Sequence, residues 1–260
     1  MVLNGKAAIV TGAGRGLGRA ISKAFAREGV HVMMMSLDEH ELKEARQEVA
    51  GLAQGEVISY TGNVAREPDV AQTVAMTVER FGRLDILVNN AGIVGPPRLL
   101  EDTDLTSWNI TLGINLTGYF LFTRAVLPHM VRQGSGKIIN IVSGLGEMPF
   151  PRFCAYSVSK AGGIQLTRSV SSEMEPYGIQ VNAIDPGVMD TSMHETIRAM
   201  GPEVLGEEIY AQFMEFRDTN VLKSPDDVAP LAVFLASPAS DHLTGRIGTL
   251  NHYRGLGFMP

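Results

Sequence analysis

The sequence predicts an α/β fold: a doubly wound parallel β-sheet with helices on both faces. Two observations carry this prediction. Short apolar, β-branched runs alternate with longer amphipathic stretches from end to end, the rhythm of repeated strand–helix–strand units. The strand-like runs are also apolar throughout, as a parallel sheet covered on both faces requires.

The first strand is Ala7-Ala8-Ile9-Val10, and a helix follows over about Leu17 to Glu28. Val30-His31-Val32-Met33-Met34-Met35 reads as the second strand. A charged helix then runs over roughly Glu39 to Leu52, with Leu42, Ala45, Val49 and Leu52 at helical spacing. Val57 to Tyr60 is the third strand, a helix lies near Asp69 to Phe81, and Leu84-Asp85-Ile86-Leu87-Val88 is the fourth strand. The second half repeats the pattern with a strand over Lys137 to Val142, a long helix from about Ala155 and a strand over Gln180 to Ile184. The stretch around Asp190 to Asn220 keeps helical spacing but leaves the strand–helix rhythm. It is expected as a helical substrate lid, about residues 188–222, over the carboxyl edge where open α/β sheets bind ligands. No linker divides the chain, so a single domain over residues 1–260 is expected.

Composition narrows the function classes. A 260-residue chain with 45% hydrophobic residues has material for one large core. Its net charge of −6, without any run of Lys or Arg, argues against a nucleic-acid partner. The single cysteine, Cys154, allows no intramolecular disulfide and fits a reducing compartment. Residues Met1 to Lys6 lack signal-peptide features, and no later apolar run reads as long enough to cross a bilayer. A cytoplasmic protein without a membrane partner is expected. The six histidines are scattered without metal-ligand spacing, so no metal is expected.

The chemistry starts at the first strand–helix junction, Thr11-Gly12-Ala13-Gly14-Arg15-Gly16-Leu17-Gly18. Glycines there let the backbone approach a pyrophosphate, and the helix N-terminus turns its free N–H groups toward the anion. Such a turn also occurs without a nucleotide; its place on the first junction strengthens the nucleotide reading. Strand four ends in Asn89-Asn90-Ala91-Gly92 and strand three in Gly62-Asn63-Val64, small and polar residues suited to turns beneath a dinucleotide.

Tyr156 and Lys160 stand four apart on one helix face. A free phenol titrates near ~10, and a neighbouring ammonium draws that value toward the working range. As a bare pair they are weak evidence. Ser143, at the end of a strand, adds a hydroxyl that can hold a carbonyl oxygen while the tyrosine protonates it. Asn115 lies on a preceding helix, in Gly113-Ile114-Asn115-Leu116-Thr117-Gly118.

T-G-x-x-x-G-x-G, N-N-A-G, the helical Asn, Ser, Y-x-x-x-K and P-G-x-x-x-T occur in the order and spacing of the short-chain dehydrogenase/reductase family, from Lys6 to about Gly245. The chain resembles that family. The resemblance implies a Rossmann-type sheet of about seven strands, assembled as a homo-oligomer, a tetramer or a dimer. It implies a nicotinamide-dependent oxidoreductase acting on a carbonyl or alcohol, with Tyr156 as general acid/base and Lys160 lowering its pKa and binding the nicotinamide ribose. Ser143 would orient the substrate oxygen, and Asn115 would hold a water linking Lys160 to solvent. Gly12, Gly16, Leu17 and Gly18 would form the pyrophosphate turn, with Asn63, Val64, Asn90, Ala91 and Gly92 along the cofactor and Asn90 at its ribose. Pro186, Gly187 and Thr191 would border the nicotinamide.

Cofactor choice turns on charge. Ser36 stands where NAD-specific members carry an acid, which removes the repulsion of a 2′-phosphate, and Arg15 can reach that phosphate. Leu37 and the nearby Asp38 oppose this. The balance favours NADP, with NAD as the alternative. Leu145, Phe150, Phe153, Met189 and Met193 are the candidate substrate wall and point to an apolar or apolar-tailed substrate, although core packing is an equal reading of them. An acyl-carrier-protein reductase is the alternative, weakened by Glu173 and Glu175, which would repel an acidic carrier. A nicotinamide-sensing binding protein without catalysis is a further alternative, weakened by the retained tetrad. The C-terminal Leu250-Asn251-His252-Tyr253 departs from the family's usual Val-Asp-Gly-Gly. That puts the usual tail packing and subunit contact in question.

Overall fold

The computed structural model describes residues 1–219 and 221–259. Asn220, inside the expected lid, and Pro260, at the end of the expected domain, lie outside the described residues. Seven parallel strands form one sheet in the order β3-β2-β1-β4-β5-β6-β7. They are β1 Ala7–Thr11, β2 His31–Ser36, β3 Val57–Thr61, β4 Ile86–Asn89, β5 Gly136–Ile141, β6 Ile179–Ile184 and β7 Ile247–Gly248. The order reverses between β1 and β4, and at such a switch point the loops part and leave a crevice at the strands' carboxyl ends.

The helices are α1 Gly16–Arg27, α2 Glu39–Leu52, α3 Glu67–Phe81, α4 Leu105–Leu112, α5 Gly118–Gln133, α6 Cys154–Met174, α7 Ser192–Ala199, α8 Gly201–Leu205, α9 Glu207–Asp218, α10 Pro225–Ala236 and α11 Leu250–Arg254. Successive strand residues serve opposite faces. Val10, Met34 and Val88 pack with Ile21 and Phe25 of α1 and Leu231 of α10. Ile9, Met33 and Leu87 pack with Val74 of α3 and Phe122 and Val126 of α5. This two-sided burial is why the strands carry no polar alternation. Asp85, the one charge in the expected fourth strand, lies just before β4 and fastens the sheet's lower edge. Its carboxylate accepts from Ala7 N at 2.9 Å and pairs with Arg83 and Lys6.

One expectation needs correction. A five-residue π-helical turn, Gly113–Thr117, joins α4 to α5 without a break. The resulting helical run, Leu105–Gln133, has 29 residues and a mean hydropathy of 1.3, enough by length and composition to cross a membrane. The sequence hides this because the apolar residues are interspersed with small and polar ones. One face of the run, with Asn115, Tyr119, Phe122 and Val126, is buried, while Leu105, Ile110 and Phe120 are exposed. The C-terminus, whose packing the sequence put in question, docks on its own chain. Thr249 caps α11, and Tyr253 is fully buried with its hydroxyl donating to Ala183 O and Arg246 O, both at 2.9 Å.

Candidate active site

The turn after β1 is built by close backbone approach. Gly12 and Gly16 have left-handed backbones, φ 63° and 52°, which side chains disfavour. A Cβ at Gly18 would lie 2.5 Å from Asn90 Nδ2 and closer still to Gly12 O. Thr11 Oγ1 accepts from the backbone N–H of Asn90 and Ala91, at 3.0 and 3.1 Å, and the Asn90 amide donates to Thr11 O and Gly12 O. The β1 and β4 turns thus lock together. No side chain caps α1 at Arg15, so the first-turn N–H groups of a twelve-residue helix are left for an anion. Glycines without room for a Cβ beside an uncapped helix N-terminus fit a dinucleotide's pyrophosphate.

On the adenosine side, a Cβ at Gly14 would come 3.1 Å from Ser36 Oγ. Arg15 pairs with Glu41, 3.0 Å away. Asp38 caps α2 by accepting from Glu41 N at 2.9 Å. Asn63 Oδ1, expected along the cofactor, accepts from Ala65 N at 2.9 Å and shapes its own turn. Val64 is buried against Gly118 of α5.

Ser143, Tyr156 and Lys160 come together above β5. Gly146 lets the loop after Ser143 press on α6, since a Cβ there would lie 2.8 Å from Ala161 N. The Ser143 hydroxyl accepts from Leu145 N at 3.2 Å and lies near enough to the Tyr156 phenol to lower its pKa. Burial pushes that phenol up to about 12, against the lowering effect of Ser143. Lys160 Nζ lies 5.6 Å from the Tyr156 ring centroid. It donates to Ile141 O at 2.7 Å and to the Tyr119 hydroxyl at 3.2 Å. Burial draws its ammonium down to about 8, with Asp185 acting in the opposite sense.

Asn115 is fully buried in the π-helical turn. Its Oδ1 accepts from Ile93 N, and its Nδ2 donates to Ile93 O, all at 2.8 Å, and to Ser159 Oγ at 3.0 Å. A Cβ at Gly92 would lie 3.4 Å from Asn115 Oδ1 and 3.6 Å from Lys160 Nζ, so both atoms look onto that glycine. The buried amide is therefore a brace between the β4 turn and α6. Contact with a water would fall to a second lone pair on Oδ1.

After β6, Gly187 turns with φ 69°, and its N–H donates to Asp185 Oδ1 at 3.0 Å. Lys223 Nζ donates to Pro186 O at 3.2 Å. The Thr191 methyl would be 3.7 Å from a Cβ on Gly16, so the segment leading into α7 reaches the glycine turn. The expected substrate residues divide. Phe150 meets Phe213 of α9 edge-on and Phe153 stacks on it, with centroids 6.2 and 6.0 Å away, and Met193 packs against the same cluster as Tyr156. Met189 packs on the main core and bridges to Lys223. Leu145 lies in the short turn after Ser143.

Three side chains at the site gave no motif: Tyr119 on Lys160, Lys223 at Pro186, and Arg152, which lines a small cleft with Tyr156. Tyr119 has a usable signal, since it follows Asn115 by one helical turn and shares its face.

A glycine turn at the switch point and a Ser–Tyr–Lys cluster at the same sheet edge define a nicotinamide-dependent dehydrogenase. The short chain dehydrogenase family model matches residues 6–201, and the chain belongs to that family. It is 34% identical to the 3-oxoacyl-(acyl-carrier-protein) reductase FabG of Thermotoga maritima, over 95% of this chain and 96% of that one. It is 37% identical to a 3-oxoacyl-(acyl-carrier-protein) reductase of Synechocystis, over 94% of each chain. Among solved structures, an NAD+-bound xylitol dehydrogenase superposes with a TM-score of 0.89 at 29% identity, covering 96% of this chain and 99% of that one. The chain is an NAD(P)-dependent oxidoreductase.

Proposed function

We propose that the enzyme interconverts a carbonyl and a secondary alcohol on a small molecule that is apolar or carries an apolar tail, with Tyr156 as general acid/base. The observation that carries this reading is the convergence of Ser143 and Lys160 on the half-buried Tyr156, at the same sheet edge as the glycine turn. When bound, the nicotinamide supplies or accepts the hydride. In the reducing direction Ser143 holds the substrate oxygen and Tyr156 gives it a proton; in the oxidising direction Tyr156 takes the proton back. The Lys160 ammonium stabilises the phenolate that forms, and Asn115 keeps the β4 turn and α6 in register around it.

Gly12, Gly16, Leu17 and Gly18 receive the pyrophosphate in this reading, with Ala91, Gly92, Pro186, Gly187 and Thr191 along the ribose and nicotinamide. NADP is the preferred form, supported by the uncharged Ser36 and by Arg15, which would exchange Glu41 for the 2′-phosphate. The segment 188–222 acts as the substrate lid, with Phe150, Phe153 and Met193 as its apolar wall. The lone free Cys154 supports a reducing, cytoplasmic location. Exposed Leu105, Ile110, Phe120 and Val158 on α4 to α6 support assembly with further copies of the chain.

Acyl-carrier-protein reduction is the second reading, favoured by the names of the two relatives. Against it, Glu173 and Glu175 are exposed at the end of α6 and repel an acidic carrier. Initial rates with aldehydes, ketones, 3-oxoacyl thioesters and secondary alcohols, each with NADPH and NADH, test both readings. Faster turnover of simple apolar ketones with NADPH is expected. A thioester preference would install the second reading, and a strong NADH preference would overturn the cofactor assignment.

A further inference from the structure

Among the described residues Arg152 alone, apart from glycines, has a left-handed backbone, φ 66°. Residues with a Cβ, other than Asn and Asp, rarely adopt this conformation, and such strain gathers where position matters for function. The strained turn makes Arg152 one wall of a small cleft that Val94, Thr103, Ser107, Thr111 and Tyr156 also line. Those three hydroxyls donate elsewhere: Thr103 to Leu99 O, Ser107 to Asp104 and Thr111 to Ser107 O.

The guanidinium is different. It has five N–H bonds to give, and it donates to Val204 O at 3.3 Å while lying 3.6 Å from where a Cβ on Gly206 would be. Among the described residues no carboxylate pairs with it, whereas neighbouring Arg98 is matched by Asp104 at 3.4 Å. The chain has 28 acidic residues against 22 basic ones, yet this half-buried guanidinium, in a residue that lines a cleft with Tyr156, has no acid partner among the described residues. A guanidinium fork matches a carboxylate through two parallel hydrogen bonds.

We propose that Arg152 anchors a carboxylate on the substrate, which makes the substrate class an oxo- or hydroxy-acid whose apolar chain separates the reacting carbon from the acid. The proposal rests on the reading of Tyr156 as the proton donor to a carbonyl. Val94 and Phe153, in the same cleft, cover the apolar chain between the two ends.

The test pairs straight-chain keto acids of increasing length, from 3-oxobutanoate to 6-oxoheptanoate, with their methyl esters, followed by nicotinamide absorbance. Wild type, Arg152→Gln and Arg152→Gly are compared. At least one acid is expected to exceed its ester in kcat/KM by about tenfold or more, the size of a charge-assisted hydrogen bond. Both variants bring that ratio to near one by raising the KM of the acid far more than that of its ester. Arg152→Gly also melts at or above the wild-type temperature, because glycine accepts φ 66° freely. Esters turned over as well as acids by the wild type, or an acid preference that survives both substitutions, overturns the anchor and leaves the carbonyl reading standing. No turnover of acids or esters by any form contradicts the carbonyl reading, and the anchor falls with it.

Discussion

The turn after β1 and the helices over residues 192–218 border the same active site, yet opposite kinds of force hold them. In the turn, each position is fixed by backbone geometry. Gly12 and Gly16 need left-handed φ, Gly18 has no room for a Cβ, and Asn90 and Thr11 supply hydrogen bonds of 2.9 to 3.2 Å. In the helical layer, Phe153, Ile197, Leu205 and Phe213 bury against one another, and many apolar sets of similar volume would do the same. One region admits almost no substitution, as the cofactor turn proposed for it requires. The other admits many, which suits a surface that adapts a common reaction to a particular substrate.

Gly18→Ala breaks the first region most sharply. The added methyl meets Asn90 and Gly12 and parts the two turns, so nicotinamide binding, followed by fluorescence titration, is expected to be lost while the chain still folds. Phe213→Ala probes the other region. Truncating a buried phenylalanine costs about 3–5 kcal/mol, and the loss is expected as a lower melting temperature and a raised substrate KM with cofactor affinity unchanged. Equal damage to cofactor affinity would erase the distinction.

Two smaller effects sharpen it. Tyr253→Phe removes the buried hydroxyl that donates to Ala183 O and Arg246 O, the latter still accepting from Ala183 N at 2.8 Å. It should cost about 1–3 kcal/mol by denaturant unfolding with kcat unchanged. His194, against Phe213 and beside Arg198, is drawn down to about 4, first by burial and then by the Arg198 charge. A depressed histidine pKa means the unfolded state binds the extra proton first. The helical layer is therefore expected at full stability above about 6.5 and to weaken as pH falls toward about 4. Hydrogen exchange over α7 and α9 reads this, and a His194→Phe variant should lose the pH dependence.

The same contrast explains what the sequence disclosed. Strands β1 to β6 fall within about two residues of the expected runs, because two-faced burial makes them apolar throughout. The glycine turn and the Ser143, Tyr156 and Lys160 cluster were legible because their residue types are dictated by geometry or by proton chemistry. Arg152 was not legible, since nothing in its neighbours announces a left-handed backbone. Nor was the division of the lid residues: helical spacing shows that Met189 and Met193 can share apolar surroundings, and only packing sends one to the main core and the other to the lid cluster. The long run from Leu105 to Gln133 escaped because its continuity depends on the π-helical turn that carries Asn115.

The central claim is that one proton donor, Tyr156, serves a site whose cofactor half is built independently of it. Tyr156→Phe keeps the ring in its cluster and removes only the hydroxyl. Turnover of the best carbonyl substrate is expected to fall by about 10²–10⁴-fold, with nicotinamide affinity and melting temperature unchanged. A variant that reduces the substrate at the wild-type rate would contradict the account.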